Sequence, residues 1–161
     1  MRRLMAAGAL AAVALLVTGC GGDDPKSTST VRLGQIRSAI AAVEAQAGGP
    51  QTYSEVNATE SEVNVFVVKD GQDFAYVVTG GSIEPPPASE AYTGPTFTAE
   101  QVAFVPGVLD VIEENLPGSK VVAFSITPKA AGGVDYIATV RATGGELRVL
   151  LDANGAVLSV G

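Results

Sequence analysis

Two stretches of this chain carry the same helical pattern of apolar residues, and this repeat limits its possible folds more than any other feature. In each stretch the apolar side chains recur at steps of three, four, three and four, which places them on one face of a helix. In residues 31–47 they are Leu33, Ile36, Ile40, Val43 and Ala47, and in residues 98–116 they are Val102, Val105, Leu109, Ile112 and Leu116. We therefore expect two amphipathic helices.

Both predicted helices have start and stop signals. Thr30 is a suitable N-cap for the first helix, and Gly48-Gly49-Pro50 ends it. The second begins with Thr98-Ala99-Glu100-Gln101, which has the form of a capping box, and ends at Leu116-Pro117-Gly118. Pro106-Gly107 interrupts the second pattern, so we expect a kink there or a new helix start.

Each helix is followed by short stretches of alternating apolar residues, which is the pattern of half-buried strands. Asp70-Gly71 and Asn154-Gly155 are typical of tight hairpin turns, because glycine accepts a positive φ. The predicted strands are 52–58, 62–68 and 74–78 in the first half, and 120–127, 134–141, 146–151 and 156–160 in the second.

The shared order of elements predicts an α+β fold with two tandem helix-plus-antiparallel-strand units, whose helices pack on one face of antiparallel sheet. The first unit is residues 31–82 and the second is residues 98–161. Residues 83–97 contain three consecutive prolines at 85–87, which cannot donate ladder hydrogen bonds and favour polyproline II. We expect this segment to be a stiff linker.

Residues 1–19 have the three parts of a secretory signal peptide. Arg2 and Arg3 supply the positive start, residues 4–17 are almost entirely apolar, and small residues precede the expected cleavage point. The apolar run has 14 residues, fewer than the roughly 20 that span a bilayer. Cys20, the only cysteine of the chain, follows immediately.

The sequence Val17-Thr18-Gly19-Cys20 resembles the lipobox of bacterial, actinobacterial-type lipoproteins. The resemblance implies cleavage before Cys20, a diacylglycerol thioether (palmitate as the expected acyl group) on its sulfur, and anchoring to the cell membrane on the extracytoplasmic side. Residues 20–30 then form a lipidated, flexible tether, since residues 21–30 have nothing apolar to bury. The alternative is an ordinary secretory signal followed by an unmodified cysteine.

A second resemblance covers about 60 residues of the second half. Residues 109–122, LDVIEENLPGSKVV, look like the helix, Leu-Pro-Gly turn and first strand of a PepSY-like domain, and residues 150–158 look like its closing hairpin. The first half departs from this pattern, because Gly48-Gly49-Pro50 replaces the turn. Tandem modules of this kind also occur in the β-lactamase-inhibitor-like group. The resemblance implies an extracytoplasmic, non-catalytic domain that binds or restrains proteases and other envelope proteins.

Composition excludes several classes of function. The chain has no histidine, so Ser-His-Asp and Cys-His nucleophilic sites and His/Cys zinc sites are ruled out. Its formal charge of −7 becomes −9 when Arg2 and Arg3 leave with the signal peptide. Nucleic acid, which is bound by clustered Lys and Arg, is therefore not an expected partner. We predict no metal and no cofactor.

Several short motifs have a structural interpretation that outweighs a functional one. Residues 152–155, DANG, resemble the start of a calcium loop but lack the further oxygen ligands and the closing Glu, so we expect a turn. Glu113 and Glu114, with Asp110 and Glu100, are expected on the solvated face of a helix, because adjacent helix residues do not face each other.

Other candidates are a turn, a sequon and the tyrosines. Ser119-Lys120 lacks the S-x-x-K spacing of a Ser–Lys acyl enzyme, so we interpret it as a turn and strand start. Asn57-Ala58-Thr59 matches a glycosylation triplet that we regard as incidental in a bacterial lipoprotein, and sugars on residues 27–30 are a further possibility. Of the four tyrosines, Tyr53, Tyr76, Tyr92 and Tyr136, we expect Tyr76 and Tyr136 to pack on the sheet and Tyr92 to offer an exposed contact.

These observations predict a lipid-anchored, extracytoplasmic binding module that is not an enzyme. Its expected partners are the membrane, through Cys20, and an envelope protein such as a protease or a cell-wall enzyme, with the binding residues undefined. The alternative is a carrier of a lipid or another apolar ligand, which requires a large cavity between helices and sheet. A third hypothesis, an enzyme using carboxylates alone, requires two acidic side chains that face each other in a cleft.

We predict that Cys20→Ala abolishes lipid attachment. Stable anchoring needs more than one acyl chain, and the two chains of one diacylglycerol group supply this. Metabolic labelling with radioactive palmitate should therefore mark the wild-type chain and not the variant. Equal labelling of both chains would contradict the lipobox interpretation.

Overall fold

A computed structural model describes residues 31–104 and 107–161 of the chain. The predicted signal peptide, the lipobox residues Val17, Thr18 and Gly19, the lipidation site Cys20 and the predicted cap Thr30 lie outside the described residues. The described residues form one antiparallel sheet that carries short helices on one of its faces.

The first predicted helix is confirmed. Helix α1 spans Ile36–Ala47 and follows a 3-10 turn at Leu33–Gln35. Its buried side chains include Ile36, Ile40 and Val43, which belong to the predicted apolar face. The helix ends at Gly48, whose N–H donates to the Glu44 carbonyl.

The second predicted helix is divided into two separate pieces. A 3-10 turn at Ala99–Gln101 starts with the predicted capping box, in which the Gln101 side chain accepts a 2.8 Å hydrogen bond from the Thr98 N–H. Residues 102–104 belong to neither helix nor strand. Helix α2 then spans Val108–Asn115. A new helix therefore starts just after Pro106-Gly107, which is the second of the two predicted outcomes, and the interruption is wider than a kink.

The strands of the described residues number ten, and they include the seven predicted ones, each within two residues at both ends. They are β1 (Thr52–Thr59), β2 (Val63–Lys69), β3 (Gln72–Thr79), β4 (Ser82–Glu84), β5 (Ser89–Ala91), β6 (Phe97–Thr98), β7 (Lys120–Pro128), β8 (Val134–Ala142), β9 (Gly145–Leu151) and β10 (Val157–Val160). Asp70-Gly71 forms the predicted tight turn, with Lys69 paired to Gln72.

The predicted fold class of two tandem helix-plus-strand units is wrong. The strands of both halves form one ten-stranded antiparallel sheet in the order β10-β9-β8-β7-β1-β2-β3-β4, with β5 paired to β3 and β6 to β1. The halves are joined where β1 pairs with β7, from Val56 opposite Ile126 to Thr59 opposite Ala123. This pairing satisfies the backbone groups of two strands that would otherwise present unpaired edges.

One face of the sheet carries the hydrophobic core, and the helices cover it. Its side chains alternate along each strand with half-buried ones on the opposite face. The core-facing residues include Val56, Ala58, Val63, Val65, Val67, Val121, Phe124, Ile126, Tyr136, Ala138, Val140, Val149 and Leu151, all of them buried.

Residues 83–97, which were predicted to be a linker between units, take part in the same sheet. β5 pairs with β3 through Ser89 opposite Phe74, and β6 pairs with β1 through Phe97 opposite Tyr53. Phe97 is 1% exposed, so the segment returns to the centre of the core after passing the sheet edge.

Gly155 lies in the turn between β9 and β10 and packs against Val108 of helix α2. Its φ is +86°, and an added Cβ would lie 3.1 Å from Val108 Cγ2. A side chain at this position would therefore be strained by its backbone conformation and would also displace a buried valine. Gly144, in the preceding hairpin, has neither restriction, because a Cβ there meets nothing within 4 Å.

We predict that Gly155→Ala lowers the free energy of unfolding by about 1–3 kcal/mol, whereas Gly144→Ala changes it by less than about 0.5 kcal/mol. Urea unfolding of both variants beside the wild type measures the difference. Equal stability of the two variants would show that the contact between Gly155 and Val108 is not a constraint on the fold.

Candidate binding groove beside helix α1

The candidate site lies between helix α1 and the segment 97–104, which runs back over the core-facing side of the sheet. α1 buries one face, and it presents Arg37, Ala41 and Glu44 along its other flank. The opposite wall consists of the 3-10 turn 99–101 and the irregular residues 102–104. The site therefore has one helical wall and one loop wall.

The loop wall is held by aromatic packing and by hydrogen bonds to the sheet. The Tyr136 hydroxyl accepts a 2.8 Å hydrogen bond from the Ala103 N–H and donates a 2.9 Å bond to the Ala103 carbonyl. Phe104 packs against Phe124 and Tyr136, with ring centroids 5.7 and 6.0 Å away. These contacts replace the hydrogen bonds that a helix would have supplied.

Three adjoining cavities form one groove along α1. The first, about 250 Å³, is lined by Leu33, Gly34, Arg37, Phe104 and Gly107. The second, about 370 Å³, is lined by Arg37, Ile40, Ala41, Glu44, Ala99, Glu100 and Val102. The third, about 220 Å³, is lined by Glu44, Pro50, Gln51, Thr98, Ala99 and Glu100. Because neighbouring cavities share lining residues, we treat them as the α1 groove.

The α1 groove is long enough for an extended peptide segment. α1 has 12 residues, so it is about 18 Å long at a rise of 1.5 Å per residue. A strand rises about 3.3 Å per residue, and five or six extended residues would therefore follow the groove from end to end.

Charged side chains line the α1 groove at successive positions along its length. Arg37 separates the first cavity from the second, and its guanidinium carbon lies 5.7 Å from the Phe104 ring centroid, a cation–π contact. Glu44 and Glu100 line the second and third cavities. Asp110 stands near the first cavity, since its Oδ2 is 3.3 Å from the Cβ position of Gly107. The groove thus has Arg37 and Asp110 near one end, and two carboxylates, Glu44 and Glu100, toward the other.

Glu44 is fixed to the sheet by a buried tyrosine. The Tyr53 hydroxyl donates a 2.9 Å hydrogen bond to Glu44 Oε1, and Tyr53 is fully buried. Burial raises the pKa of Tyr53 well above its ordinary value, and the hydrogen bond to Glu44 and the negative charge of Glu44 raise it further. The tyrosine therefore remains a neutral donor that holds α1 against β1.

Most of the residues that the sequence analysis considered as candidate functional sites have structural roles. Asp152 Oδ1 accepts hydrogen bonds from the N–H groups of Asn154 and Ala156, which confirms the predicted turn. These backbone bonds, that from Ala156 most of all, lower the pKa of Asp152. Among the described residues, no group of three or more Asp, Glu, Cys or His side chains is arranged to hold a metal ion.

The acidic and hydroxyl candidates do not converge on one place. Asp110, Glu113 and Glu114 lie on α2. Buried Ser119 precedes β7, and Lys120 begins β7 with an ion pair to Glu60. Glu100 is the member of this group that lines the α1 groove.

The sequon and tyrosine candidates lie on different parts of the sheet. Asn57 lies on the face opposite the helices, where its side-chain amide donates a 2.7 Å hydrogen bond to Ser125. Tyr136 and Tyr76 pack on the sheet as predicted. Tyr92 is half-buried, and its hydroxyl donates a 2.6 Å hydrogen bond to the Pro95 carbonyl. The hydroxyl of Tyr92 is therefore already bound within its own loop.

The sequence analysis missed the α1 groove. The helical spacing of Val102 and Leu109 concealed the irregular segment that forms the loop wall. One signal was present: residues 31–43 contain two arginines and no acid in an otherwise acidic chain. This local charge pattern marks the end of α1 at which Arg37 stands.

Comparison with known proteins identifies a structural neighbour. A crystal structure of a protein from Clostridium difficile 630, assigned as a lipoprotein, superimposes with a TM-score of 0.55 at 12% identity, covering 76% of this chain and 89% of that one. This is a likeness of fold, and the fold is thus one seen in a bacterial protein of the lipoprotein class. The chain matches no protein-family model and no curated protein. The comparisons therefore do not show the PepSY-like family.

None of the described helices is long and apolar enough to cross a bilayer.

We predict that the burial of Tyr53, together with its hydrogen bond to Glu44, makes the protein lose stability in alkali. Above about pH 10 the tyrosine ionises in the unfolded chain, whereas the raised pKa keeps it protonated in the folded one. The unfolded state therefore binds fewer protons, and stability falls as pH rises. Tyr53→Phe should cost about 0.5–1.5 kcal/mol at pH 7 and should reduce the alkaline loss.

Urea unfolding at pH 7, 9 and 10.5 provides the measurement, with Tyr76→Phe as the control for loss of another tyrosine hydroxyl on the sheet. The same alkaline slope in the wild type and in Tyr53→Phe would contradict the assignment.

Proposed function

We propose that this protein is a lipid-anchored, extracytoplasmic, non-catalytic binding protein whose α1 groove binds an extended segment of another envelope protein. The groove itself carries the proposal, because its three adjoining cavities follow one helix and combine apolar walls with ordered charges. Such a surface suits a segment that presents several side chains in succession.

The lining of the groove defines the chemistry of the segment. An apolar or aromatic side chain fits the first cavity, between Leu33 and Phe104. An acidic side chain placed next would pair with Arg37, which can bind a carboxylate through two N–H groups. A basic side chain further along would face Glu44 and Glu100. The expected order is therefore apolar, acidic, basic, along the direction from Leu33 to Pro50.

The location rests on the N-terminal sequence. The lipobox-like Val17-Thr18-Gly19-Cys20 supplies the anchor, and the fold likeness to a bacterial protein assigned as a lipoprotein agrees with it. The predicted tether of residues 21–30 reaches at most about 35 Å when fully extended. The groove, whose first cavity begins at Leu33, would then face partners held close to the membrane. A protease or a cell-wall enzyme is a suitable partner, a choice that rests on the local sequence resemblance of residues 109–122 to PepSY-like domains.

One observation favours a second candidate, the binding of an apolar small molecule. The first cavity, about 250 Å³, has mainly apolar walls. An engineered cavity of about 150 Å³ accepts benzene, so this one, which opens to solvent, has the volume for a larger apolar group. Its position at one end of a longer, charged groove makes a protein segment the better-supported ligand.

We predict that variants of the groove lose the partner. Gly34→Leu adds a bulky side chain to the lining of the first cavity, at a position where a Cβ meets nothing within 4 Å. Arg37→Glu reverses the central charge. Each should reduce recovery of the partner from detergent-solubilised envelope at least tenfold, a loss of about 1.4 kcal/mol in binding. The measurement is quantitative mass spectrometry of proteins captured by the full-length tagged chain.

Matched controls lie outside the groove. Ala45→Leu adds the same side chain to an exposed position of α1, and Arg148→Glu reverses an exposed arginine on β9. Equal recovery by the Gly34→Leu variant and the wild type would contradict a groove-bound segment. Loss of a co-purified lipid or other small molecule, with protein partners unchanged, would favour the second candidate.

A further inference from the structure

The strand β10 forms an exposed apolar edge of the sheet. Val157, Leu158 and Val160 are 43%, 55% and 51% exposed, and they are the exposed large hydrophobic residues of the described part of the chain. β10 pairs with β9 on one side, and no strand in the described residues pairs with its other side.

The β10 edge is short and its register with β9 is interrupted once, but it lacks the charged residues and prolines that commonly prevent strands from pairing between molecules. Such edges usually carry lysine, other charges or proline. Residues 156–161, AVLSVG, contain none of these. At the opposite edge, by contrast, β4 contains Glu84 and is followed by prolines 85–87. The two edges of the same sheet therefore differ in a way that favours association at β10.

The backbone groups of Val157 and Val160 point toward the open edge. Arg148 and Gly161 exchange two hydrogen bonds, of 2.8 and 3.0 Å, so they form a hydrogen-bonded pair of the ladder. The next pair, Val149 and Val160, is then a non-hydrogen-bonded pair, whose N–H and C=O groups face away from each other.

The same argument applies at the start of the strand. The Asp152 N–H donates to the Ala156 carbonyl at 3.0 Å, the bond expected beside a non-hydrogen-bonded pair of Leu151 and Val157. Val157 and Val160 face residues that are two apart on β9, because the register shifts between Val157 and Ser159. Although Val157 and Val160 are three apart in sequence, the outward-facing N–H and C=O groups of these two residues are therefore spaced like those of residues i and i+2 in a regular strand.

We propose that a second copy of this chain pairs with β10, antiparallel to it, with Val157 opposite Val160 of the second copy. This register is two-fold symmetric, so the same pair forms twice and four backbone hydrogen bonds result. The side chains of Val157 and Val160 lie on the core-facing side of the sheet, next to Leu151 and Val149. In the pair, the four valines would extend this apolar row across the interface.

Charge also favours a second copy at this place. The protein is acidic overall, which opposes broad contact between two copies. The β10 edge is uncharged, so two copies can approach there with little repulsion. A four-residue strand buries far less than the roughly 1,000 Å² of a stable interface. The pairing is therefore expected to be weak in dilute solution and to be favoured where the predicted anchor confines copies to one surface.

Cysteine cross-linking tests this register. Val157→Cys and Val160→Cys are made separately in the full chain and then co-expressed. In the proposed pair, Cα atoms of opposed residues lie about 5.5 Å apart, within disulfide range, whereas identical positions lie about 8–9 Å apart, beyond it. After mild oxidation, non-reducing gels should show at least about fivefold more dimer for the mixture than for either variant alone.

Several outcomes would overturn the proposal. These are dimer formed equally by each variant alone, no dimer in the mixture, or a disulfide that joins the Val157→Cys variant to a different protein. The wild-type chain controls for any thiol at Cys20.

A second measurement distinguishes backbone pairing from apolar contact. Val160→Pro keeps an apolar side chain and removes the outward N–H, whereas Val160→Thr keeps the N–H and replaces a methyl group. Amine cross-linking of the full chain in cells should lose its dimer with Val160→Pro and retain it with Val160→Thr. Equal dimer in both variants would contradict strand pairing. Both experiments are independent of Gly34 and Arg37, so their failure would leave the proposed groove function unaffected.

Discussion

The pairing of β1 with β7 is the interaction on which the rest of the structure depends. It joins the strands of the N-terminal half to those of the C-terminal half through four residue pairs, from Val56–Ile126 to Thr59–Ala123. Each half alone would have an apolar face only three or four strands wide, with an unpaired edge at its first strand. Joined, they provide one continuous apolar surface on which helix α1 and the segment 97–104 lie side by side.

The central pairing also decides which strands become edges. With β1 and β7 in the middle, the last strand of each half lies at the outside, β4 at one end and β10 at the other. The chain continues beyond β4 into prolines and β5, which returns to pair with β3. No described segment covers β10 in this way. The arrangement that buries the two first strands thus leaves one uncharged edge available for a second molecule.

Local elements could be predicted from the sequence, and long-range pairing could not. Alternation in Val63, Val65 and Val67 defined β2, and Asp70-Gly71 defined its turn, because side-chain period and turn chemistry are local properties. Whether β1 pairs with β7 depends on which of several apolar edges meet, and no periodicity records that. The two-unit prediction failed for this reason, although all seven of its strands are present in the structure.

The candidate site depends on the region where the local prediction was least adequate. Val102, Leu109 and Ile112 are buried, as the helical stripe required, but they belong to an irregular segment and to a separate helix α2. A regular helix through residues 98–116 would have placed a rounded surface beside α1. The irregular residues instead place Phe104 against Phe124 and opposite Arg37. The apolar spacing correctly predicted the burial of Val102, Leu109 and Ile112. It could not predict the α1 groove, because the groove forms where the backbone of residues 102–104 departs from the helix that the spacing implied.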